Sequence, residues 1–239
     1  VALGINVPTG KDSLSMKQKY PDGDVLAPGT VVISSVGVCE DINKIVEPVF
    51  QKDGGPVYYL NISQDQFALG GSSFAQVRNK IGNQAPDIKD VQKLADTFNA
   101  LQNLIKEGAI VAGHDVASGG LITTLLEMCF ADTELSAELD LSALGEKDTI
   151  KILFAENAGV VIQLKDEASA AALDNFPIAC HRIGRVTTGE ILQLKNGEDA
   201  HAFDIPQLRD AWYETSWLLD KKQTAGELAD ARYANYKQQ

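Results

Sequence analysis

Cysteine and histidine are scarce in this chain, and the few present are scattered. Among 239 residues there are three cysteines, Cys39, Cys129 and Cys180, and three histidines, His114, His181 and His201. No CxxC pair occurs, so a structural zinc site is not expected. An odd number of thiols, far apart and in apolar surroundings, reads as reduced core cysteines of a cytosolic protein. Positive charge is also short: 21 Lys and Arg stand against 33 Asp and Glu, a net charge of −12. That balance argues against a protein that grips nucleic acid through its phosphates. No apolar run approaches the roughly 18 residues of a membrane-spanning helix, so no membrane is expected as a partner. Repeats and low-complexity tracts are missing. There is no initiator Met either, and residues 1–7 read as a strand entered mid-domain, so the chain is expected to be a piece of something longer.

What is present suits a soluble globular protein, with 44% hydrophobic and 23% charged residues. The length allows one large domain or two small ones. Organisation centres on residues 113–121, Gly-His-Asp-Val-Ala-Ser-Gly-Gly-Leu. The apolar run 109–112 before it reads as a buried strand, and 121–128 after it as a helix. Asp115 would then stand at a strand end, beside the backbone N–H groups of a helix start. Such a place suits a phosphate and its cation. It equally suits a tight turn whose glycines permit close packing and whose Asp caps a helix.

Residues 8–16 carry a Gly-Lys pair that invites a P-loop reading. That motif needs four residues between its glycines and Ser or Thr after the Lys; here Gly4 and Gly10 enclose five, and Asp12 follows Lys11. The P-loop reading fails, leaving Lys11, Asp12 and Ser13 on a turn that faces either a ligand or solvent. Residues 17–29 read as a linker or long hairpin loop, and 30–40 as a buried strand. Residues 57–62 read as a strand, and Leu69-Gly70-Gly71-Ser72-Ser73 opens a helix over 74–81. Residues 87–108 form an amphipathic helix whose core stripe includes Val91, Phe98 and Leu101 and which stops at Gly108. Further on, 150–155 and 159–164 read as strands. Between them Glu156 stands as either a site carboxylate or a solvated turn. An Ala-rich helix over 166–175 and strands over 180–186 and 190–195 follow, with Asn196-Gly197 as a hairpin turn. Asp204 caps a last helix with Pro206 in its first turn and Leu208, Ala211, Trp212, Thr215, Leu218 and Leu219 along one face. Residues 221–239 read as polar periphery.

Several of these stretches, in this order and at similar spacings, resemble the large phosphoribosylformylglycinamidine synthases. They are residues 10–16 (GKDSLSM), 69–72 (LGGS), His114-Asp115-x-x-x-Gly119-Gly120-Leu121, 154–163 (FAENAGVVIQ) and 212–217 (WYETSW). The resemblance implies an α+β fold: a layered domain with a mixed sheet, like the C-terminal domain of aminoimidazole ribonucleotide synthetase. It implies that residues 1–28 end a preceding synthetase-like domain, 29–203 form the C-terminal domain of the second synthetase-like half, and 204–239 are a helical connector to a glutaminase domain. The implied function is a cytoplasmic, ATP-dependent ligase of purine biosynthesis. It makes formylglycinamidine ribonucleotide, ADP, phosphate and glutamate from formylglycinamide ribonucleotide, ATP and glutamine. This part would be structural and would help hold an auxiliary ATP or ADP with Mg2+; alone it is expected to be inactive.

By the same resemblance, Asp115 is the metal ligand, Ala117, Ser118, Gly119 and Gly120 face the nucleotide, and no catalytic residue lies in the chain. The family usually has Ser and then Asp or Glu where this chain has Ala117 and Ser118. Either the nucleotide binds differently here, or the Ser118 hydroxyl partly compensates. Two alternatives are a stand-alone ATP-dependent relative (selenophosphate synthetase-like or hydrogenase-maturation-like) and a non-catalytic interaction domain.

Overall fold

Strands with alternating or continuous apolar residues supply most of the structure, a computed structural model that describes residues 2–10, 16–27, 31–131 and 134–236. Contacts divide the chain into two units, Val1–Asn43 and Lys44–Gln239. In the first, β1 (Lys17–Tyr20) and β2 (Gly23–Leu26) make an antiparallel hairpin, the second of the two readings for that stretch. Residues 2–10 form no strand, against expectation. Nor do 31–40: Val36 and Val38 are wholly exposed, and Cys39, expected in a core, is exposed too. A strand needs a ladder partner for its backbone groups, and among the described residues none pairs with this run.

The second unit holds β3 (Pro56–Leu60), α1 (Ser73–Val77), α2 (Val91–Glu107), β4 (Ile110–Asp115), α3 (Gly120–Phe130), β5 (Leu135–Asp140), α4 (Thr149–Phe154), β6 (Val160–Leu164), β7 (His181–Thr188), β8 (Ile191–Asn196), β9 (Asp199–Asp204), α5 (Ile205–Gln223) and α6 (Gly226–Asn235). Its seven strands form one mixed sheet, ordered β4-β6-β3-β7-β5-β8-β9, antiparallel except where β5 runs parallel to β8. This is the layered α+β fold with a mixed sheet. The larger core cluster includes Tyr59, Leu121, Leu125, Met128, Ile152, Ile183, Leu192 and Ile205, so α3, α4 and the start of α5 lie on one face. The smaller gathers Leu60, Leu101, Leu104, Ile162, Leu164 and Leu173, placing α2 on the other.

Local rules explain the element ends. Asp90 caps α2 by accepting from the Lys93 N–H at 3.0 Å, and Gly108 stops it in a left-handed conformation at φ 71°. The stripe of α2 is core only towards its C-terminal end. Leu101 and Leu104 are buried, whereas Val91 and Phe98 are exposed, because the sheet lies under the last turns. Residues 150–155, expected as a strand, are helix α4. Asp148 accepts from the N–H groups of Ile150 and Lys151, starting a helix that buries Ile152 and Leu153; a short apolar run does not distinguish helix from strand by period. The Ala-rich stretch is a 3-10 helix over Ala168–Leu173. β9 is the strand that the Asn196-Gly197 hairpin turn implies, whereas β5 and α6 have no counterpart in the sequence reading.

On α5 the expected apolar face is incomplete, with Trp212, Leu218 and Leu219 about half exposed. The facing side is aromatic. Tyr213 stacks on Tyr236 at 4.1 Å and Trp217 on Tyr233 at 4.6 Å, so the polar tail folds back as α6. Arg232 donates to both Asp220 oxygens, and Trp217 Nε1 donates to Asp230, which also pairs with Lys221 at 3.2 Å. Arg232 holds the Asp220 carboxyl below the usual aspartate range, and Lys221 does the same for Asp230. A depressed folded-state pKa gives stability that is present above the unfolded value and lost as pH falls through the folded one. Acidification below the ordinary aspartate range is therefore expected to loosen the α5–α6 hairpin. The check is Trp217 emission against pH in a Trp212→Phe chain; Arg232→Met should move the transition to higher pH.

Candidate functional site

The site begins at an edge strand. β4 pairs with β6 through Gly113, His114 and Asp115, opposite Ile162, Val161 and Val160. The ladder ends as the Val116 N–H donates to the Gly159 carbonyl at 2.8 Å, with the Val116 side chain buried. The chain then turns through Ala117, Ser118 and Gly119 into α3. Gly119 and Gly120 have φ of 92° and 75°, where L side chains are strained. A Cβ on Gly120 would sit 2.6 Å from the Leu153 carbonyl oxygen, so this glycine lets α3 start hard against the end of α4. Asp115 (side chain 77% exposed), Ala117 and Ser118 share this exposed turn. Lys11, Asp12 and Ser13 lie outside the described residues.

Two N–H groups at the turn, those of Gly119 and Gly120, are already engaged. Gly120 donates to the Ala117 carbonyl at 3.0 Å. Gly119 donates to Glu156 Oε1 at 2.8 Å, and the same oxygen accepts from the Ser73 N–H at 2.7 Å. The starts of α1 and α3, the two glycine-rich turns, are thus joined by one carboxylate, and the anion at their N-termini belongs to the protein. Glu156 is half-buried and bonded, not a solvated turn. Its neighbour Asn157 is fully buried and donates to Ser63 Oγ at 2.9 Å and to the Asp65 carbonyl at 3.2 Å, fixing the loop before β6. Nothing in the spacing of 69–73, 119 and 156 announces this meeting; a carboxylate between two strand-like runs was the only signal.

His114 is a second group the sequence left unassigned. Its Nε2 lies 3.2 Å from Glu127 Oε2, while Glu127 Oε1 accepts from Trp212 Nε1 at 2.9 Å. The imidazole is thereby oriented by α3 and, through Glu127, tied to α5. Its Nδ1 is buried and lies 3.4 Å from Asp115 Oδ1 without the alignment of a hydrogen bond. As for a cation, no group of three His, Cys, Asp or Glu side chains among the described residues is placed to hold a metal. Asp115 offers one exposed carboxylate. That fits Mg2+ only as a partial site, since this ion is commonly held by one or two carboxylates together with waters and substrate phosphates. No helix among the described residues is long and apolar enough to cross a membrane.

Residues 52–195 match the family described as AIR synthase related protein, C-terminal domain. Over 230 residues, 93% of its length, the chain is 37% identical to the probable phosphoribosylformylglycinamidine synthase, chloroplastic/mitochondrial, of Arabidopsis thaliana, and spans 16% of that protein. Two solved structures from Thermotoga maritima are similar over 70% of this chain. PurL complexed with FGAR has a TM-score of 0.56 at 13% identity, with 30% of its length covered. PurL complexed with ATP has a TM-score of 0.52 at 14% identity, with 28% covered. At such identities the likeness is one of fold.

Proposed function

The chain belongs to the family of AIR synthase related proteins, of which it contains the C-terminal domain, and from that premise we propose that it is part of a phosphoribosylformylglycinamidine synthase. The observation that carries the reading is 37% identity along 93% of the chain to a plant synthase of that name. The reaction proposed for the whole protein is ATP-dependent ligation: formylglycinamide ribonucleotide, ATP and glutamine give formylglycinamidine ribonucleotide, ADP, phosphate and glutamate. The same identity does not favour a selenophosphate synthetase-like or hydrogenase-maturation-like relative. Residues 1–28 are proposed as the tail of a preceding domain, 29–203 as the synthetase-like domain and 204–239 as a connector towards a glutaminase domain. We place the protein in the cytoplasm; its three free thiols accord with this, and burial pushes those of Cys129 and Cys180 up to about 12.

Within that protein this domain is scaffold and holder of an auxiliary nucleotide. Asp115, projecting from the end of β4, is the ligand proposed for Mg2+, which when bound neutralises phosphate charge. With the Gly119 and Gly120 N–H groups engaged, the two glycines shape the turn, and Ser118 supplies an exposed hydroxyl beside the methyl of Ala117. Asp115→Asn keeps size but removes the charge a hard cation prefers. In the full-length protein it is expected to lower the nucleotide carried through purification. Full loss of a ligand present at 100 times its dissociation constant removes about 2.7 kcal/mol of stability. Nucleotide released on denaturation and the melting temperature check this together. If both equal the wild type, Asp115 is a turn residue only.

A further inference from the structure

Beside α1 lies a cavity of about 540 Å3 walled by Phe67, Leu69 and Phe74 and ringed by Arg78, Lys80 and Lys151. Among the described residues no carboxylate lines it, although acidic residues outnumber basic ones by 33 to 21 in the chain. Among the described residues none of the three cations makes an ion pair within 4.0 Å; Lys151 is half-buried and acts on Glu146 only at longer range. Three like charges around one concavity repel each other, and low-dielectric walls focus their field inward, so the cavity favours an anion. The walls are preset. Phe67 is buried, and Phe74 stacks on Phe154 at 4.8 Å.

The rim is also fixed. The Gly70 N–H donates to the Gln84 carbonyl and the Gly71 N–H to the Ile81 carbonyl, each at 2.7 Å. A Cβ on Gly70 would lie 2.3 Å from the Gln84 oxygen, so segment 81–84 rests directly on the glycine turn. We propose that this cavity is a binding site for a small organic phosphate monoester. The dianion lies among Arg78, Lys80 and Lys151, and the apolar or planar body lies against Phe67, Leu69 and Phe74. The volume is within the range of small-molecule pockets, roughly 300–1,000 Å3. The site shares no residue with the Asp115 turn and stands without the nucleotide reading. Glu156, bonded to Ser73 at the head of α1 and to Gly119 at the head of α3, links the two places mechanically.

The test is calorimetric titration of the full-length protein with phenyl phosphate, and with inorganic phosphate for comparison. Phenyl phosphate is expected to bind at least about tenfold more tightly than inorganic phosphate, because only it reaches the aromatic wall, and to weaken as salt rises. Arg78→Ala with Lys80→Ala, and separately Lys151→Met, should each weaken it about tenfold or more. These side chains are solvent-facing or unpaired, and unchanged circular dichroism will show the variants folded. Asp115→Asn should leave phenyl phosphate binding unchanged. Absence of binding, equal affinity in wild type and both variants, or equal affinity for the two phosphates overturns the proposal. Loss of binding in Asp115→Asn alone assigns the anion to the turn, which overturns this proposal and leaves the nucleotide reading standing.

Discussion

Gly120→Ala is expected to lower the stability of the protein by about 3 kcal/mol, the largest effect among single methyl additions at the site. Two costs combine. Alanine at φ 75° is strained by roughly 1–3 kcal/mol. The added carbon would also lie 2.6 Å from the Leu153 oxygen and 2.8 Å from Phe154 backbone atoms. Backbone cannot rotate away as a side-chain tip can, so α3 must shift from α4, at an overpacking cost of about 1–3 kcal/mol. For a domain of this size the melting temperature should fall by about 6–12 °C. The control is Gly145→Ala, also at positive φ (76°) but with no atom of the described residues within 4 Å of the added carbon. It should suffer the strain alone, and equal losses in the two variants would show that the close approach of α3 to α4 is not what Gly120 provides.

Glu156→Ala should produce the second large effect, because one oxygen serves two backbone donors on different helices. Each N–H left part-buried and unpaired costs about 1–3 kcal/mol, so a loss of about 2–4 kcal/mol is expected. Glu156→Gln keeps a carbonyl acceptor in the same place but loses charge assistance, and should cost about half as much. Amide hydrogen exchange separates this from a general loss of packing. Ser73 and Gly119 should lose protection first in the alanine variant and keep much of it in the glutamine variant. If exchange rises equally across α3, the carboxylate is not the anchor of these two turns.

Local chemistry made much of the second unit legible in one dimension. β4 and α3 are an apolar run, a Gly-Gly pair and a second apolar run. Asp90 and Gly108 mark both ends of α2, Asn196-Gly197 marks the β8–β9 hairpin, and Asp204 with Pro206 marks the start of α5. Such signals act over four residues or fewer, through caps, positive φ and hydrogen bonds to the next turn. The exposed turn bearing Asp115, Ala117 and Ser118 was legible for the same reason. Residues 150–155 were not, since Asp148 decides for a helix and the apolar run by itself fits either form. Residues 31–40 carry a strand's composition without a partner among the described residues, because composition states a preference and pairing is a property of a second segment.

Everything that depends on distant residues meeting belonged to the tertiary structure. Glu156 reaches Ser73 across 83 positions and Gly119 across 37, and so ties two glycine-rich helix starts into one internal joint. His114, Glu127 and Trp212 meet from β4, α3 and α5. Tyr233 and Tyr236 draw a polar tail back onto α5. The cavity ringed by Arg78, Lys80 and Lys151 likewise exists only once α4 lies beside α1. The sequence by itself determined where the chain turns, which segments have an apolar face and which residues can carry charge. Which carboxylate answers which N–H, and which cations are left without one, is decided by packing, because the energy of a charge depends on what the fold places within a few ångströms of it.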